Sequence, residues 1–391
     1  MAADLDASVM LTAVLVAHFG VRLTLYNRLN GWGLERKLTK LLEKLLVLET
    51  FVTPVVVTVV LWRPLASFLE GTAPWQSLPF AFRLTSYSLF LGATVFGLLW
   101  LLWRPILKVQ HARSLRRSQV ENIGQTVNVP LALTKRCQLL DRIPINQMFQ
   151  LSIDQVELTV PGLPEELDGY RLAHLSDVHL TGQVAPEFTH RVLDHVTQWQ
   201  PDLIALTGDI VDTERCLDWI PDLFGPVVAP DGCWFILGNH DVRVRNPDHV
   251  RLRMRDSGWR DLGSQVELEP LRGTPVNLVG NEYPWFGRPT DEHMQRRTAD
   301  FCLTLSHSPD QFDWARKHGV QLMLAGHTHG GQGRLPLAGP LISPSLHGTR
   351  WASGDFYRPP TTLHVSRGLS SVQLLRIHCR PELSLLTLRC R

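Results

Sequence analysis

Several things are scarce in this sequence, and each scarcity removes a class of function. Cysteine is sparse, with six residues scattered at 137, 216, 233, 302, 379 and 390. None falls in a Cys-x-x-Cys pair, which argues against zinc ribbons and dithiol redox centres. Scattered thiols fit a reducing compartment. Charge of either sign is also short: 19% of residues are Asp, Glu, Lys or Arg, where about a quarter is usual. The formal net charge of +2 is too small for a nucleic-acid partner to be expected. The N-terminus carries Asp4 and Asp6 where a cleavable leader would carry positive charge. No internal repeat or low-complexity tract is present.

The missing charge is concentrated before residue 110. Residues 84–103 hold no charged side chain, and twenty such residues span about 30 Å as a helix, the depth of a bilayer core. Residues 45–62 form a second apolar stretch containing Glu49 and Pro54, and residues 8–26 a third, interrupted by His18 and Arg22. Trp62, Trp100 and Trp103 stand at stretch ends, where an aromatic belt would place them. Residues 1–110 are therefore expected to be a transmembrane helical region of two to three spans. Arg36, Lys37, Lys40 and Lys44 precede the middle stretch, and Arg104, Lys108, Arg113, Arg116 and Arg117 follow the last. Only Arg63 and Arg83 lie between those two stretches. The bias predicts a multi-pass membrane protein whose C-terminal part is cytoplasmic.

Residues 111–150 read as a linker and lead-in, with no clear period. From 151 to 391 the pattern is α/β. Short apolar runs at 170–175, 203–206, 233–237, 301–305 and 320–324 read as buried strands, with helices expected at 186–200 and 311–318 and a closing strand at 383–388. Each of the five runs ends in a polar cluster. In order these are Asp177-Val178-His179, Gly208-Asp209-Ile210-Val211-Asp212, Gly238-Asn239-His240-Asp241, Ser306-His307-Ser308-Pro309-Asp310 and Gly326-His327-Thr328-His329-Gly330. Layered α/β folds carry functional residues at strand ends, so one sheet edge could gather all five. The clusters offer carboxylate oxygens, imidazole nitrogens and one amide oxygen. That donor set suits Mn, Fe, Zn or Co and is too nitrogen-rich for a dedicated Ca or Mg cage.

The types and their order resemble the calcineurin-like metallophosphoesterase superfamily, in particular its branch of membrane-associated members. That family's pattern is Asp-x-His, Gly-Asp-x-x-Asp, Gly-Asn-His-Asp/Glu, a lone His and Gly-His-x-His, and every part has a counterpart here. The resemblance covers residues 151–391. It implies a layered α/β hydrolase domain with two divalent metal ions. Asp177, His179, Asp209 and His329 would hold one ion; Asp209, Asn239, His307 and His327 would hold the other, with Asp209 bridging. His240 would protonate the leaving group, oriented by Asp241, while Asp212 would orient a ligand or loop. Two divalent ions against two carboxylates leave about +2, which attracts phosphate, and such ions lower the pKa of water from 15.7 towards about 7.

A phosphoester substrate, lipid-linked or otherwise, is the expected partner, together with the membrane itself. Phospholipid headgroups, nucleotide-sugar lipids and cytosolic nucleotides or phosphoproteins all remain open, because fold and metal site do not choose among them. Two other readings compete. A catalytically silent membrane scaffold would use the same fold, but would be expected to have lost ligands. A channel or transporter role for the N-terminal helices is motivated by His18, Arg22 and Glu49, although three short spans are few for one. Arg243, Arg245, Arg251, Arg253 and Arg255 read as a solvated face in preference to a rim at the mouth of the site that would meet an anionic headgroup, Tyr283 and Trp285 as lining or packing, and Val365-Ser366-Arg367-Gly368 as a turn without chemistry.

Overall fold

In the computed structural model, residues 6–29, 31–34, 36–106, 111–336 and 339–390 are described. The chain divides into two compact units, residues 1–109 and 110–391.

In the first unit, Ala7–Leu29 and Phe80–Leu99 are long and apolar enough to cross a membrane. The stretch that His18 and Arg22 interrupt in sequence is thus continuous helix. Both groups find partners on the next helix, Arg36–Val60. Arg22 donates to both Glu49 oxygens, at 2.8 and 2.5 Å, and His18 Nε2 lies 2.9 Å from the Thr50 carbonyl. Pairing of this kind is how ionisable groups are tolerated at membrane depth. The middle stretch departs from a simple span, because helix 37–60 turns by 80° into Trp62–Leu69. Lys108 falls outside the described residues, as do the side chains of Arg36, Trp100, Trp103 and Arg104.

The second unit is two stacked sheets with helices outside them. The first sheet runs, in spatial order, Ser114–Asn122, Gln150–Thr159, Glu382–Arg389, Arg171–Leu175, Leu203–Thr207, Cys233–Ile236 and Arg260–Asp261. From Arg171–Leu175 outward to Arg260–Asp261 its strands are parallel. The second runs Gly354–Arg358, Thr361–Val365, Leu322–Ala325, Phe301–Ser306, Thr274–Asn281 and Val266–Leu271. Its four inner strands are parallel.

The apolar runs are continuous rather than alternating because the strands are covered on both faces. Leu172, Leu203, Ala205 and Ile236 pack with Leu278, Leu303, Leu305 and Leu324 of the other sheet. Their neighbours Leu175, Ile204, Leu206 and Phe235 face Phe188, Val192, Leu193 and Val196 of helix Pro186–Trp199. That helix starts on Pro186, whose missing N–H is harmless there, and stops where Gln200 turns left-handed at φ 53°. Truncating a fully buried residue between the layers, such as Leu206, is expected to cost about 2–5 kcal/mol.

The 111–150 segment differs from its reading as a linker. Ser114–Asn122 is the outer strand of the first sheet, antiparallel to Gln150–Thr159. It escapes a sequence reading because an edge strand needs no apolar stripe, and most of its side chains are exposed. Polar contacts tie it down instead: Arg116 pairs with Asp154 at 2.7 Å, Glu382 at 2.8 Å and Asp355 at 3.1 Å.

Candidate metal centre

The five polar clusters follow the C-terminal ends of five parallel strands, three in the first sheet and two in the second. The backbone there is unusual. Asp177, His179, Asp209, His327 and His329 all have positive φ, between 50° and 68°. Non-glycine residues enter this region at a cost of order 1–3 kcal/mol each, and such strain clusters at functional sites. Surrounding contacts enforce it. The Asp177 and His179 N–H groups donate to the carbonyls of Gly208 and Asp209, at 3.0 and 2.9 Å, and the His327 N–H donates to the Asp177 carboxylate. Gly326 is obligatory, since a Cβ there would lie 1.8 Å from Ser176 Oγ.

These turns aim their side chains at one place. One group comprises Asp177, His179, Asp209 and His329, with a ligand atom from each all within 4.8 Å of one another; Asp209, His307 and His327 meet the same criterion. His179 Nε2 is 3.4 Å from His329 Nε2 and 3.5 Å from Asp209 Oδ2. His307 Nε2 is 3.4 Å from Asp209 Oδ1 and 3.0 Å from Asn239 Oδ1. Donors bonded to one ion at about 2.1 Å stand at most about 4.2 Å apart, so these separations fit. The donor set fits too. Asp209 Oδ2 and His327 Nε2 are buried with no hydrogen-bond partner among the described residues, a costly state that a cation would relieve. Asp209 belongs to both groups.

The far side of each imidazole is fixed. His179 Nδ1 donates to Asp212 at 2.8 Å, His307 Nδ1 to the Thr207 carbonyl at 2.7 Å and His329 Nδ1 to the Ser370 carbonyl at 3.1 Å. All three therefore present Nε2 to the centre, as metal-binding histidines do. Burial and the positive His307 push the His327 imidazole down to about 3, so the ring is neutral at physiological pH. Burial would lower His307 as well, but the Asp209 carboxylate outweighs it and raises His307 to about 9.

The partner of His240 differs from the one expected. Its Nδ1 donates to Asp212 at 2.6 Å. Asp241 points away and accepts backbone N–H bonds from Asp209, Ile210, Val211 and Gly238, at 2.7–3.0 Å. Asp241 thus clamps the turn that holds Asp209. Burial and the nearby Asp209 charge push its carboxyl up to about 7. Asp212 serves His179, His240 and also Arg243, whose Nη2 faces His240 Nε2 at 3.1 Å. Although burial opposes ionisation, these partners hold the Asp212 carboxyl well below the usual range.

Three further residues serve the site, and of these only Arg376 had no place near it in the sequence reading. Arg243 belongs to the site rather than to a solvated face. Trp285 packs its ring on His307 and His327, with centroids 5.4 and 4.7 Å apart. Arg376 is 1% exposed and donates to the carbonyls of His329, Arg367, Gly368 and Ser370. It pins the loop carrying His329 to the 367–370 turn, whose Gly368 backs onto Asp177. An arginine in an irregular segment gives no sequence signal of this role. Tyr283 is 44% exposed and sits under the Arg288 guanidinium.

The pattern of calcineurin-like phosphoesterases matches residues 170–331. The chain is 30% identical to an uncharacterized metallophosphoesterase, YkuE, of Bacillus subtilis, over 61% of this chain and 86% of that protein. It is 29% identical to the phosphodiesterase YaeI of Escherichia coli, over 56% and 82%. It is 25% identical to the UDP-2,3-diacylglucosamine pyrophosphatase LpxG of Chlamydia trachomatis, over 61% and 89%. A strained, five-loop oxygen and nitrogen cradle within that likeness makes this chain a member of the calcineurin-like metallophosphoesterase family and a metal-dependent phosphoester hydrolase.

Proposed function

We propose that the chain is a membrane-anchored hydrolase that uses two divalent ions to cleave a phosphoester, with a lipid-linked substrate favoured. The observation that carries the two-ion reading is Asp209: it is shared by both donor groups, and its Oδ2 is buried without a hydrogen-bond partner. Asp177, His179, Asp209 and His329 would hold one ion, and Asp209, Asn239, His307 and His327 the other. The donor chemistry favours Mn, Fe, Zn or Co. Once bound, the pair supplies Lewis-acid charge for the phosphate and makes water a competent nucleophile at neutral pH.

The chain's own residues supply the rest. His240 is the proton donor for the leaving oxygen, with its ring orientation set by Asp212. Arg243 sits beside His240 Nε2 and adds positive charge where a phosphate would arrive. Asp241 keeps the Asp209 turn in shape and takes no proton from substrate. The lipid-linked preference is supported by the two helices apolar enough to cross a membrane and by likeness to a relative named for a diacylated nucleotide sugar. The basic residues flanking the apolar stretches support a multi-pass topology with the catalytic domain on the cytoplasmic side.

The test is hydrolysis of bis-p-nitrophenyl phosphate with added Mn. Wild type should turn over. Asp209→Asn should lose activity together with metal, and His240→Ala should keep metal but lose about 10²–10⁴-fold in rate. Absence of metal-dependent turnover across several phosphoesters would instead support a silent scaffold.

A further inference from the structure

Behind Asp177 the space between the sheets is polar where leucine would pack. His174 stands on strand Arg171–Leu175, and Thr207 ends its parallel neighbour Leu203–Thr207. By alternation His174 faces the same way as Leu172, towards the other sheet, and its ring meets that of His364 there, with centroids 5.3 Å apart. His174, Ser176, Asp177 and Thr207 are all completely buried. Burying an imidazole and two hydroxyls costs desolvation that a leucine would not. What they provide in return is a connection to Asp177. His174 Nε2 is 2.9 Å from Thr207 Oγ1, Thr207 Oγ1 is 2.8 Å from Ser176 Oγ, and Ser176 Oγ is 2.6 Å from Asp177 Oδ2.

The direction of each bond follows from the last one. A carboxylate only accepts, so Ser176 uses its single proton on Asp177. Ser176 must then accept from Thr207, and Thr207, its own proton engaged, must accept from the His174 Nε2–H. Burial, and then the nearby His364, pull the His174 imidazole well below its usual value, so the ring is neutral and its Nδ1 carries no proton. That nitrogen has no hydrogen-bond partner among the described residues. Bonds that all point one way polarise and strengthen one another. The chain ends on one carboxylate oxygen and leaves the other for the metal centre. Asp177 Oδ1 lies 3.6 Å from His329 Nε2 and 4.0 Å from His179 Nε2, close enough to share an ion. The His327 N–H touches both oxygens, at 3.1 and 3.0 Å, and so does not distinguish them; Ser176 does. Gly326 shields this bond, since a Cβ there would also lie 2.4 Å from Asp177 Oδ2.

We infer that His174, Thr207 and Ser176 are positioning residues for the ion beside His179 and His329: a one-way hydrogen-bond chain that ties down Asp177 Oδ2 and commits Oδ1 alone to the cation. The inference rests on the two-ion reading above and adds to it three residues that touch neither metal nor substrate. The other ion has no such chain behind its ligands, because the His307 ring is held by a backbone carbonyl, that of Thr207, which side-chain substitutions at 207 leave in place.

The test uses the full chain in detergent micelles, stripped of metal and titrated with Zn by calorimetry. Wild type should bind two equivalents. Ser176→Ala should weaken one of the two steps by about 10–100-fold, the usual effect of removing a group that orients a metal ligand, and leave the other unchanged. Thr207→Val, which keeps the shape and deletes the hydroxyl, should weaken the same step by less, and Thr207→Ser should restore it. Should Ser176→Ala fail to fold, the two Thr207 variants carry the same comparison. A readout that packing alone would not move is the His174 imidazole N–H, followed by NMR in histidine-labelled protein and assigned with His174→Gln. Zn should shift that resonance in wild type and leave it in place in Thr207→Val, where the chain is cut. Unchanged affinity in both Ser176→Ala and Thr207→Val overturns the inference. So does equal weakening of both steps with a lowered melting temperature, which would mean general loosening of the sheet. Wild type that takes up fewer than two equivalents would sink the two-ion reading first and this inference with it.

Discussion

Asp212→Asn separates the roles of two neighbouring acids. Asp212 uses Oδ2 for His179 and Oδ1 for His240, and accepts from Arg243 as well. Asparagine keeps one acceptor oxygen and turns the other position into a donor, which cannot accept from an imidazole N–H. One histidine must therefore lose its support. If His179 loses it, metal affinity should fall by about 10–100-fold, the usual cost of removing the group behind a metal-bound histidine. If His240 loses it, the rate at saturating metal should fall by about 10²-fold or more. Both effects are measurable on one preparation, by titrating metal into apoprotein and by steady-state kinetics at high metal. Asp241→Asn is the control. It leaves one acceptor oxygen, takes the acceptor from two of the four backbone N–H groups that Asp241 binds around Asp209, and should lower the melting temperature, because each lost buried bond costs about 1–3 kcal/mol. The reasoning is refuted if Asp212→Asn leaves both metal affinity and rate intact while Asp241→Asn abolishes proton donation in a stable protein.

Two other expectations follow from the packing behind the site. Arg376→Met leaves four carbonyls without their buried donor, so melting temperature and metal affinity should fall together, which calorimetry and metal titration would show; an unchanged affinity would contradict a positioning role. Acid should loosen the sheet edge around Arg116: burial alone would raise the Asp355 carboxyl, but His364 and Arg116 hold it down to about 2 from 3.8, and Arg367 and Arg116 similarly hold Glu382 well below its usual range. Groups with depressed folded pKa values stabilise above their unfolded values and lose that contribution as pH falls through the folded ones. Stability from this network should thus decline from about pH 4 to below about 2, and Arg116→Met should flatten the decline in acid denaturation monitored by circular dichroism.

What the sequence disclosed depended on how locally each feature was encoded. The five strands that carry ligands were legible because burial on both faces leaves unbroken apolar runs, and each run stops at a polar turn. The helix from Pro186 was legible from its spacing of Phe188, Val192, Leu193 and Val196. The edge strand Ser114–Asn122 was not, because it is held by Arg116 across more than two hundred residues of sequence rather than by an apolar face. The pairing of His240 with Asp212 was hidden for a similar reason. Sequence proximity favoured Asp241, but adjacent residues point different ways, and the turn sends Asp241 to the backbone of the neighbouring loop. Arg376 and Arg243 act through contacts that only the folded chain brings together. The 80° bend after helix Arg36–Val60 was likewise beyond a hydropathy reading, which registers apolar length but not direction.

The central claim is that one carboxylate, Asp209, stands between two cations. Anomalous diffraction from crystals of the Mn-loaded protein tests it most directly. The account predicts two peaks about 3.5–4 Å apart, one beside His179 and His329, the other beside His307 and His327, with Asp209 touching both. A single peak at full loading, or two peaks with Asp209 bound to neither, would contradict it.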